Sequence, residues 1–241
     1  MARKSRRSAQ TLADVLFSQG FGTRYDCAQI VAAGAVQIDG VVRDDPDEEM
    51  NPEGLVFTYR GVKWPVCEHV LVALNKPAGY ECSTKPSAHP SVMSLLPGQF
   101  RRRNVQPIGR LDADTTGLLL LTDDGALNHR LIHPKKHVEK VYEVTLKHPA
   151  ADDICARLTQ GVVLDDDPQP VAAKTAELVT PTHLRMTLLE GKYHQVKRMV
   201  AACGNRVESL HRSRVGAFVL PDSLAPGEWM WIDRESVLGS R

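Results

Sequence analysis

The stretch that decides the fold is Gly109-Arg110-Leu111-Asp112-Ala113-Asp114-Thr115-Thr116-Gly117, followed directly by four leucines, Leu118 to Leu121. The leucine run predicts a strand buried on both faces, because it offers no polar residue to a solvent-facing side. Asp112 then lies in a glycine-containing loop at the mouth of a buried sheet. A carboxylate there is placed to attack carbon or to hold charge, and not to fill a core.

Two other interpretations of this loop are open. In the first, the aspartates only accept hydrogen bonds from their own backbone, which is the usual role of Asp in turns. In the second, the loop binds calcium, because Asp112, Asp114, Thr116, Gly117 and Asp123 match ligand and turn positions of an EF-hand. The last of these is Asp where a bidentate Glu is expected, and the flanks do not show two amphipathic helices, which argues against calcium.

Three further segments accompany the aspartate loop. They are Leu74-Asn75-Lys76-Pro77-Ala78-Gly79, Lys140-Val141-Tyr142-Glu143-Val144 and Glu190-Gly191-Lys192-Tyr193-His194-Gln195-Val196-Lys197-Arg198-Met199. In order and spacing, the four segments resemble the motifs of the RNA pseudouridine synthases, in the branch of the ribosomal small-subunit (RsuA-type) enzymes. The resemblance extends from about Leu71 to Val219.

This resemblance implies a reaction and a set of site residues. A C–N glycosidic bond breaks, the uracil turns, and its C5 is joined to the sugar. Asp112 matches the catalytic carboxylate, which attacks C1′ or C6 or deprotonates the sugar. Lys197 matches its basic partner, Arg110 the arginine that replaces the extruded base, and Tyr142 the aromatic that packs on the flipped uracil. Lys76 belongs to a motif that mainly supports the site.

Without the resemblance, Lys197 is interpreted as a solvated helix lysine and Tyr142 as a core or cross-strand residue. The reaction involves no redox change and no net group transfer, so we expect no cofactor. His129 and His133 are four residues apart, but the glutamate of an H-E-x-x-H motif is absent between them, so we expect no metal.

The composition limits the classes of protein to which this chain can belong. At 241 residues, 42% of them apolar, the chain has room for one large domain or for a large and a small one. Five cysteines without a C-x-x-C pair indicate reduced thiols and a cytoplasmic location. No apolar run is long enough for a membrane span, and no signal peptide is evident. We expect a monomer without membrane contact.

The formal net charge is only +1, so RNA binding requires local basic patches. Each basic cluster alone is also consistent with a solvated face. Because clusters flank the candidate site, we predict RNA contacts at Arg24, Arg101, Arg102, Arg103, Lys135, Lys136 and Arg198.

Residues 1–10 are predicted to form a disordered basic tail. Residues 11–66 resemble the S4 RNA-binding domain, with two short helices and a hairpin around Asp39-Gly40. This domain and the tail together hold eight basic and nine acidic side chains, which predicts a modest contribution to RNA affinity. Residues 67–241 form the catalytic domain. The fold class is α+β, with a mixed, mainly antiparallel sheet.

Element boundaries follow from periodicity, caps and turn residues. The predicted helices are Thr11–Ser18, Arg24–Ala33, Ala126–Ile132, Asp152–Leu158 and Tyr193–Cys203. The predicted strands are Val70–Leu74, Leu118–Leu121, Val138–Leu146 and Leu184–Leu189, with a loop at Asp165–Pro168.

The sequence therefore predicts a pseudouridine synthase that modifies ribosomal RNA, most closely the 16S rRNA of the small subunit, as free RNA or in a pre-ribosomal particle. The residues of the last motif favour the small subunit over 23S rRNA. The alternative from another class is a non-catalytic ribosome-assembly factor that binds RNA. A carboxylate facing phosphates has no use in a pure binder, so Asp112 argues for the enzyme.

Overall fold

The computed structural model describes residues 9–164 and 167–239, and these residues form two compact units. The first comprises the described residues up to Val70 together with Pro97–Val105. The second comprises Leu71–Leu96 and the described residues from Gln106 onwards. Residues 1–8 of the predicted basic tail lie outside the described residues, as do Asp165 and Asp166 of the predicted loop. No described helix is long and apolar enough to cross a membrane.

In the first unit, short helices accompany a four-stranded sheet of order β3-β2-β5-β6 within the described residues. The elements are β1 (Gln10–Thr11), α1 (Leu12–Ser18), α2 (Arg24–Ala32), β2 (Val36–Ile38), β3 (Val41–Arg43), β4 (Glu49–Met50), β5 (Val56–Tyr59), β6 (Val62–Pro65) and α3 (Gly98–Arg102).

Local sequence signals set the bounds of these elements. Thr11 caps α1 by accepting the Asp14 N–H, and Thr23 forms a reciprocal capping box with Asp26 at the start of α2. The hairpin between β2 and β3 turns at Asp39-Gly40, both with positive φ, as its two-residue loop requires. The helices and hairpin predicted for this part of the chain are therefore confirmed.

The segment Pro97–Val105 belongs to the first unit, which differs from the single boundary predicted near residue 66. Phe100 of α3 is fully buried and meets Trp64 edge-on, with 5.5 Å between ring centroids. Arg103 donates to Gln19 Oε1 at 2.9 Å and to the Cys67 carbonyl at 3.2 Å. No local pattern predicts this arrangement, because its contacts join residues that are far apart in the chain.

The second unit is built on a nine-stranded sheet, counted over the described residues. Its main order is β13-β14-β10-β15-β9-β7-β17, with β16 on β15 and β8 on β9. The strands are β7 (Leu71–Lys76), β8 (Gln106–Pro107), β9 (Thr116–Thr122), β10 (Lys140–Leu146), β13 (Thr175–Thr180), β14 (His183–Leu188), β15 (Val207–Val215), β16 (Phe218–Val219) and β17 (Trp229–Trp231). A separate hairpin pairs β11 (Val162–Leu164) with β12 (Asp167–Val171). The helices are α4 (Gly125–Ile132), α5 (Ile154–Gln160), α6 (Gln195–Ala202) and α7 (Arg234–Leu238), with 3-10 turns at Val92–Leu95 and Pro134–Lys136.

Strand β9 is a buried inner strand of this sheet. All four leucines from Leu118 to Leu121 are buried, which confirms that the strand is covered on both faces. It pairs with β7 along that strand's whole length, from Leu71 opposite Thr122 to Lys76 opposite Gly117. The mixed, mainly antiparallel α+β class is confirmed. Among the described strands of this sheet, β9 and β15 are the parallel pair.

A glycine permits the close approach of β9 and β15. Gly117 has φ +100°, and a Cβ there would lie 2.4 Å from the Arg212 carbonyl oxygen and 2.8 Å from the Arg212 nitrogen. A side chain at this position would collide with backbone, which cannot swing away as a flexible side chain can. Gly117 therefore brings Arg212 beside the loop that carries Asp112.

Several boundaries differ from the prediction. Helix α6 begins at Gln195 and not at Tyr193, because His194 has a left-handed backbone conformation. The predicted loop at Asp165–Pro168 is partly strand, since β12 begins at Asp167. Strand β15 is not among the predicted strands, because its sequence mixes charged, polar and apolar residues.

We expect Gly117→Ala to lower the free energy of unfolding by about 2–4 kcal/mol, from positive φ plus a backbone collision. Gly227→Ala is the matched control, because Gly227 has φ +87° and a Cβ added there would meet nothing within 4 Å. It should cost only about 1–2 kcal/mol for the φ angle. Denaturant unfolding of both variants measures the difference, and equal losses would contradict the close-approach argument.

Candidate active site

A buried lysine holds the turn that carries Asp112. Lys76, at the end of β7, is 0% exposed, and its ammonium donates to the carbonyls of Thr115 at 2.8 Å and of Ala113 and Pro77 at 3.1 Å. Burial lowers the pKa of Lys76, and nearby Cys82, Asp114 and Asp112 oppose that shift. The three acceptors use all three ammonium protons. Lys76 thus fixes the backbone on the C-terminal side of Asp112.

Backbone contacts complete the turn. The Gly79 N–H donates to the Ala113 carbonyl at 2.7 Å, and the Thr115 N–H donates to the Asp112 carbonyl at 3.1 Å. On the other side, the Leu111 N–H donates to Cys82 Sγ at 3.4 Å. The segment Pro77–Cys82 and the aspartate turn therefore support each other.

Lys197 lies between two carboxylates of this turn. Its Nζ is 3.2 Å from Asp112 Oδ2 and 2.7 Å and 2.8 Å from the two oxygens of Asp114. Partial burial acts to lower the pKa of Lys197, but hydrogen bonds to Asp114 and Asp112 outweigh it, so the pKa lies above its ordinary value. The hydrogen bond from Lys197 also holds the pKa of Asp114 below its usual range.

Asp112 opens onto a cavity of about 580 Å³, a volume within the range of small-molecule sites. Tyr142 of β10 and Arg212 of β15 line it and are only 7% and 2% exposed. Among the described residues, cationic side chains on its wall outnumber carboxylates: they are Arg110, Lys140, Lys192 and Arg212, against Glu81 and Asp112. The cavity suits a ligand that carries oxygens and negative charge.

Two of these cations have defined environments. Arg212 Nε donates to the Leu118 carbonyl at 2.8 Å, which ties the guanidinium to the parallel pair of strands. Lys140 Nζ donates to the Val138 carbonyl at 3.1 Å. Burial, with repulsion from Arg212, lowers the pKa of Lys140 to about 8. Lys140 therefore loses its charge at a pH at which ordinary lysines keep theirs.

The structure brings together all five predicted catalytic and supporting residues. The cavity is lined by Asp112, Arg110 and Tyr142. Lys197 contacts Asp112, and Lys76 donates to carbonyls of the turn that carries Asp112. Arg110 is exposed.

The predicted RNA-contacting residues are more scattered. Arg198 donates to the Tyr193 carbonyl at 3.2 Å, near the cavity. Lys135 and Lys136 are exposed on the 3-10 turn after α4. Arg101, Arg102 and Arg103 belong to the first unit and not to the unit that carries Asp112. Arg24, also in the first unit, pairs with Asp14 and lies over the Phe17 ring.

The calcium interpretation of the aspartate loop is wrong. Its positions 5 to 11 form β9, whereas an EF-hand loop wraps around the ion and leads into a helix. The space between Asp112 and Asp114 is occupied by the Lys197 ammonium. The purely structural interpretation does not fit Asp112 either, because its carboxylate faces the cavity and contacts Lys197.

Three side chains of the site are not among the residues predicted from the sequence. His194 lies in the same motif as Lys197, and its Nε2 is 3.3 Å from Asp112 Oδ1. Arg212 is visible in the sequence only as one member of a basic cluster, because the strand that carries it has no clear pattern. Lys140 is a basic residue next to a predicted strand, and its motif with Tyr142 could have identified it as part of the wall.

Comparisons with known proteins identify the class of enzyme to which this fold and site belong. The RNA pseudouridylate synthase family model matches residues 70–202, and the S4 domain model matches residues 10–55. The chain therefore belongs to the RNA pseudouridine synthase family, and the family resemblance of its motifs is confirmed.

Individual relatives agree. The chain is 41% identical over 226 residues to a protein of Yersinia pestis named ribosomal small subunit pseudouridine synthase A, covering 93% of this chain and 95% of the relative. It is 48% identical over 164 residues to the Salmonella typhimurium protein of the same name, covering 68% and 71%. A crystal structure of a pseudouridylate synthase superposes with a TM-score of 0.66 at 33% identity, covering 94% of this chain and 97% of that one.

We expect Lys76→Met to lower the free energy of unfolding by about 2–5 kcal/mol, because three buried carbonyls lose a charged donor. The exposed Lys147→Met is the control and should change it by less than about 0.5 kcal/mol. Denaturant unfolding measures both. If Lys76→Met were as stable as the control, the turn would not depend on this ammonium.

We also expect RNA affinity to fall as the pH rises through about 8, because Lys140 becomes neutral there. The magnitude of the salt slope of binding should decrease by about 0.7–0.9 for this one lost charge. Lys140→Arg stays charged throughout and shares every other titrating group, so its slope should change less than that of the wild type between about pH 7 and 9.5. Identical pH dependence in the two proteins would show that Lys140 does not contribute its charge to RNA binding.

Proposed function

We propose that this protein isomerises a uridine of small-subunit ribosomal RNA to pseudouridine, and that Asp112 is its catalytic carboxylate. The observation that carries the proposal is the contact of Asp112 with Lys197 at the wall of a cationic cavity. Relatives named for the small ribosomal subunit, matched over nearly the whole chain, support this RNA over 23S rRNA.

Asp112 is suited to chemistry on a sugar or a base. The Lys197 ammonium contacts its carboxylate, and the turn held by Lys76 fixes its backbone. The carboxylate acts as a nucleophile at C1′ or C6, or as a base toward the sugar. The N1–C1′ bond breaks, the uracil is retained and turned, and C5 bonds to C1′ as any bond that Asp112 has formed to carbon breaks. C5 loses its proton and N1 gains one. Atoms and electrons then balance without an external redox partner.

The remaining cavity residues match the handling of an extruded base. A base in a stack is out of reach of Asp112, so the target nucleotide must leave the stack. Arg110, exposed beside Asp112, is placed to enter the gap that the base leaves. Tyr142 offers a ring surface inside the cavity on which uracil stacks. Lys140 and Arg212 provide donors for the oxygens of the uracil or the phosphate.

Basic residues outside the cavity bind the rest of the RNA more weakly than the cavity binds the target nucleotide. Lys135, Lys136 and Arg198 belong to the catalytic unit and extend its positive surface. In the first unit, we propose that Arg24 and the basic segment Arg101–Arg103 contact phosphates. Their effect is modest, because Asp14 already pairs with Arg24 and Arg103 donates to Gln19. The substrate is ribosomal RNA, free or in a pre-ribosomal particle, and the protein acts as a cytoplasmic monomer.

We expect Asp112→Asn to abolish product formation, at least about 1,000-fold below wild type, while RNA still binds. Asparagine keeps the shape but loses the nucleophile or base, and it removes a charge that repels phosphate. Tritium release from 5-tritiated uridine in ribosomal RNA reports turnover. Asp114→Asn is the control, since it removes a neighbouring carboxylate and leaves Asp112 in place, and it should stay within about tenfold. Activity of Asp112→Asn within tenfold of wild type would overturn the proposal.

A further inference from the structure

Two contacts, and not one, hold the Asp112 carboxylate. Lys197 Nζ is 3.2 Å from Oδ2, and His194 Nε2 is 3.3 Å from Oδ1. Lys197 is divided between two carboxylates and lies closer to Asp114 than to Asp112. The rotation of an Asp carboxylate about χ2 is soft, so a single contact at one oxygen leaves its plane poorly fixed. A second donor at the other oxygen defines the plane.

The backbone of His194 is held in an unusual conformation. Its φ of 48° and ψ of 32° are left-handed, which a residue with a Cβ rarely adopts. Such strain costs about 1–3 kcal/mol and tends to persist at functional sites. His194 occupies the N-cap position of α6, yet within the described structure its side chain makes no capping hydrogen bond. The imidazole is directed to Asp112 instead.

The neighbouring residues hold the imidazole in place. The Tyr193 ring stacks on it, with 3.8 Å between centroids and 20° between planes. The Gln195 side chain accepts the Lys192 N–H at 2.8 Å, which fixes the turn on either side of His194. Tyr193 itself is 73% exposed as a residue and fills no core. An exposed ring stacked on a strained histidine has a local role at the cavity rim.

We propose that His194 is a positioning residue for Asp112, and that Tyr193 holds its imidazole. The inference rests on the proposed role of Asp112 in isomerising uridine. The Nε2–H of His194 donates to Oδ1 and sets the carboxylate plane that the flipped nucleotide meets. An imidazole that carries its proton on Nε2 is a donor whether or not the ring is charged. The proposed role therefore does not require a charge on His194.

The test compares variants that keep the backbone conformation but differ in the donor. Glycine and asparagine both accept a left-handed conformation. His194→Gly removes the donor, whereas His194→Asn keeps a shorter amide donor. We expect kcat for tritium release from 5-tritiated ribosomal RNA to fall about 10–100-fold in His194→Gly, while KM stays within about threefold. His194→Asn, or imidazole added to His194→Gly, should restore part of the loss. The melting temperature of His194→Gly should be unchanged or higher, because the backbone strain is relieved.

Two variants of Tyr193 test whether its ring holds the imidazole. Tyr193→Phe keeps the stacked ring and should lose much less kcat than Tyr193→Ala, which should show part of the His194→Gly defect. A His194→Gly enzyme with kcat within twofold of wild type would overturn the inference. So would a loss that appears only in KM, or one that neither imidazole nor asparagine relieves. Activity in Asp112→Asn would instead overturn the proposed function, so the two failures are distinguishable.

Discussion

The site depends on one buried charge, the ammonium of Lys76. Burying a lysine ammonium away from solvent costs free energy unless each of its protons is donated to an acceptor. For Lys76, three carbonyls around the aspartate turn are those acceptors. The fold stabilises the charge, and the charge in turn fixes the backbone of the turn. This reciprocal dependence explains why a lysine and not an apolar residue ends β7. It places Asp112 on a rigid support. For the catalytic role proposed for Asp112, a shift of about 1 Å would lower the rate far more than it would lower stability.

The sheet and helix α6 position the other residues of the site around that turn. Strands β9 and β15 can pair in parallel because residue 117 is a glycine. This pairing brings Arg212, which lines the cavity, close to the turn that carries Asp112. Helix α6 then presents Lys197 and, just before it, His194 to the two oxygens of Asp112. The carboxylate is thus held by a cation and a donor from a segment that is distant from it in the chain. Lys197 provides the positive charge beside the Asp112 carboxylate, and we propose that His194 sets the orientation of that carboxylate. Mutation of each residue therefore tests the two effects separately.

The local parts of this arrangement could be predicted from the sequence, and the distant contacts could not. Caps at Thr11 and Thr23, the Asp39-Gly40 hairpin and the buried leucine strand follow from rules that act within a few residues. The family motifs indicated Asp112, Lys197 and Tyr142. By contrast, β15 carries Arg212 in a mixed pattern of charged and apolar residues, which does not identify a strand when its neighbours are unknown. The left-handed His194 and the return of Pro97–Val105 to the first unit depend on tertiary contacts in the same way.

Pseudouridine can be mapped at single-nucleotide resolution in total ribosomal RNA from cells that lack this protein. We expect that a uridine of 16S rRNA, pseudouridylated in wild-type cells, stays unmodified in the deletion strain. Modification should return with the wild-type protein and not with Asp112→Asn expressed to the same level. An unchanged 16S map in the deletion strain, or restoration by Asp112→Asn, would show that this protein does not modify 16S rRNA through Asp112.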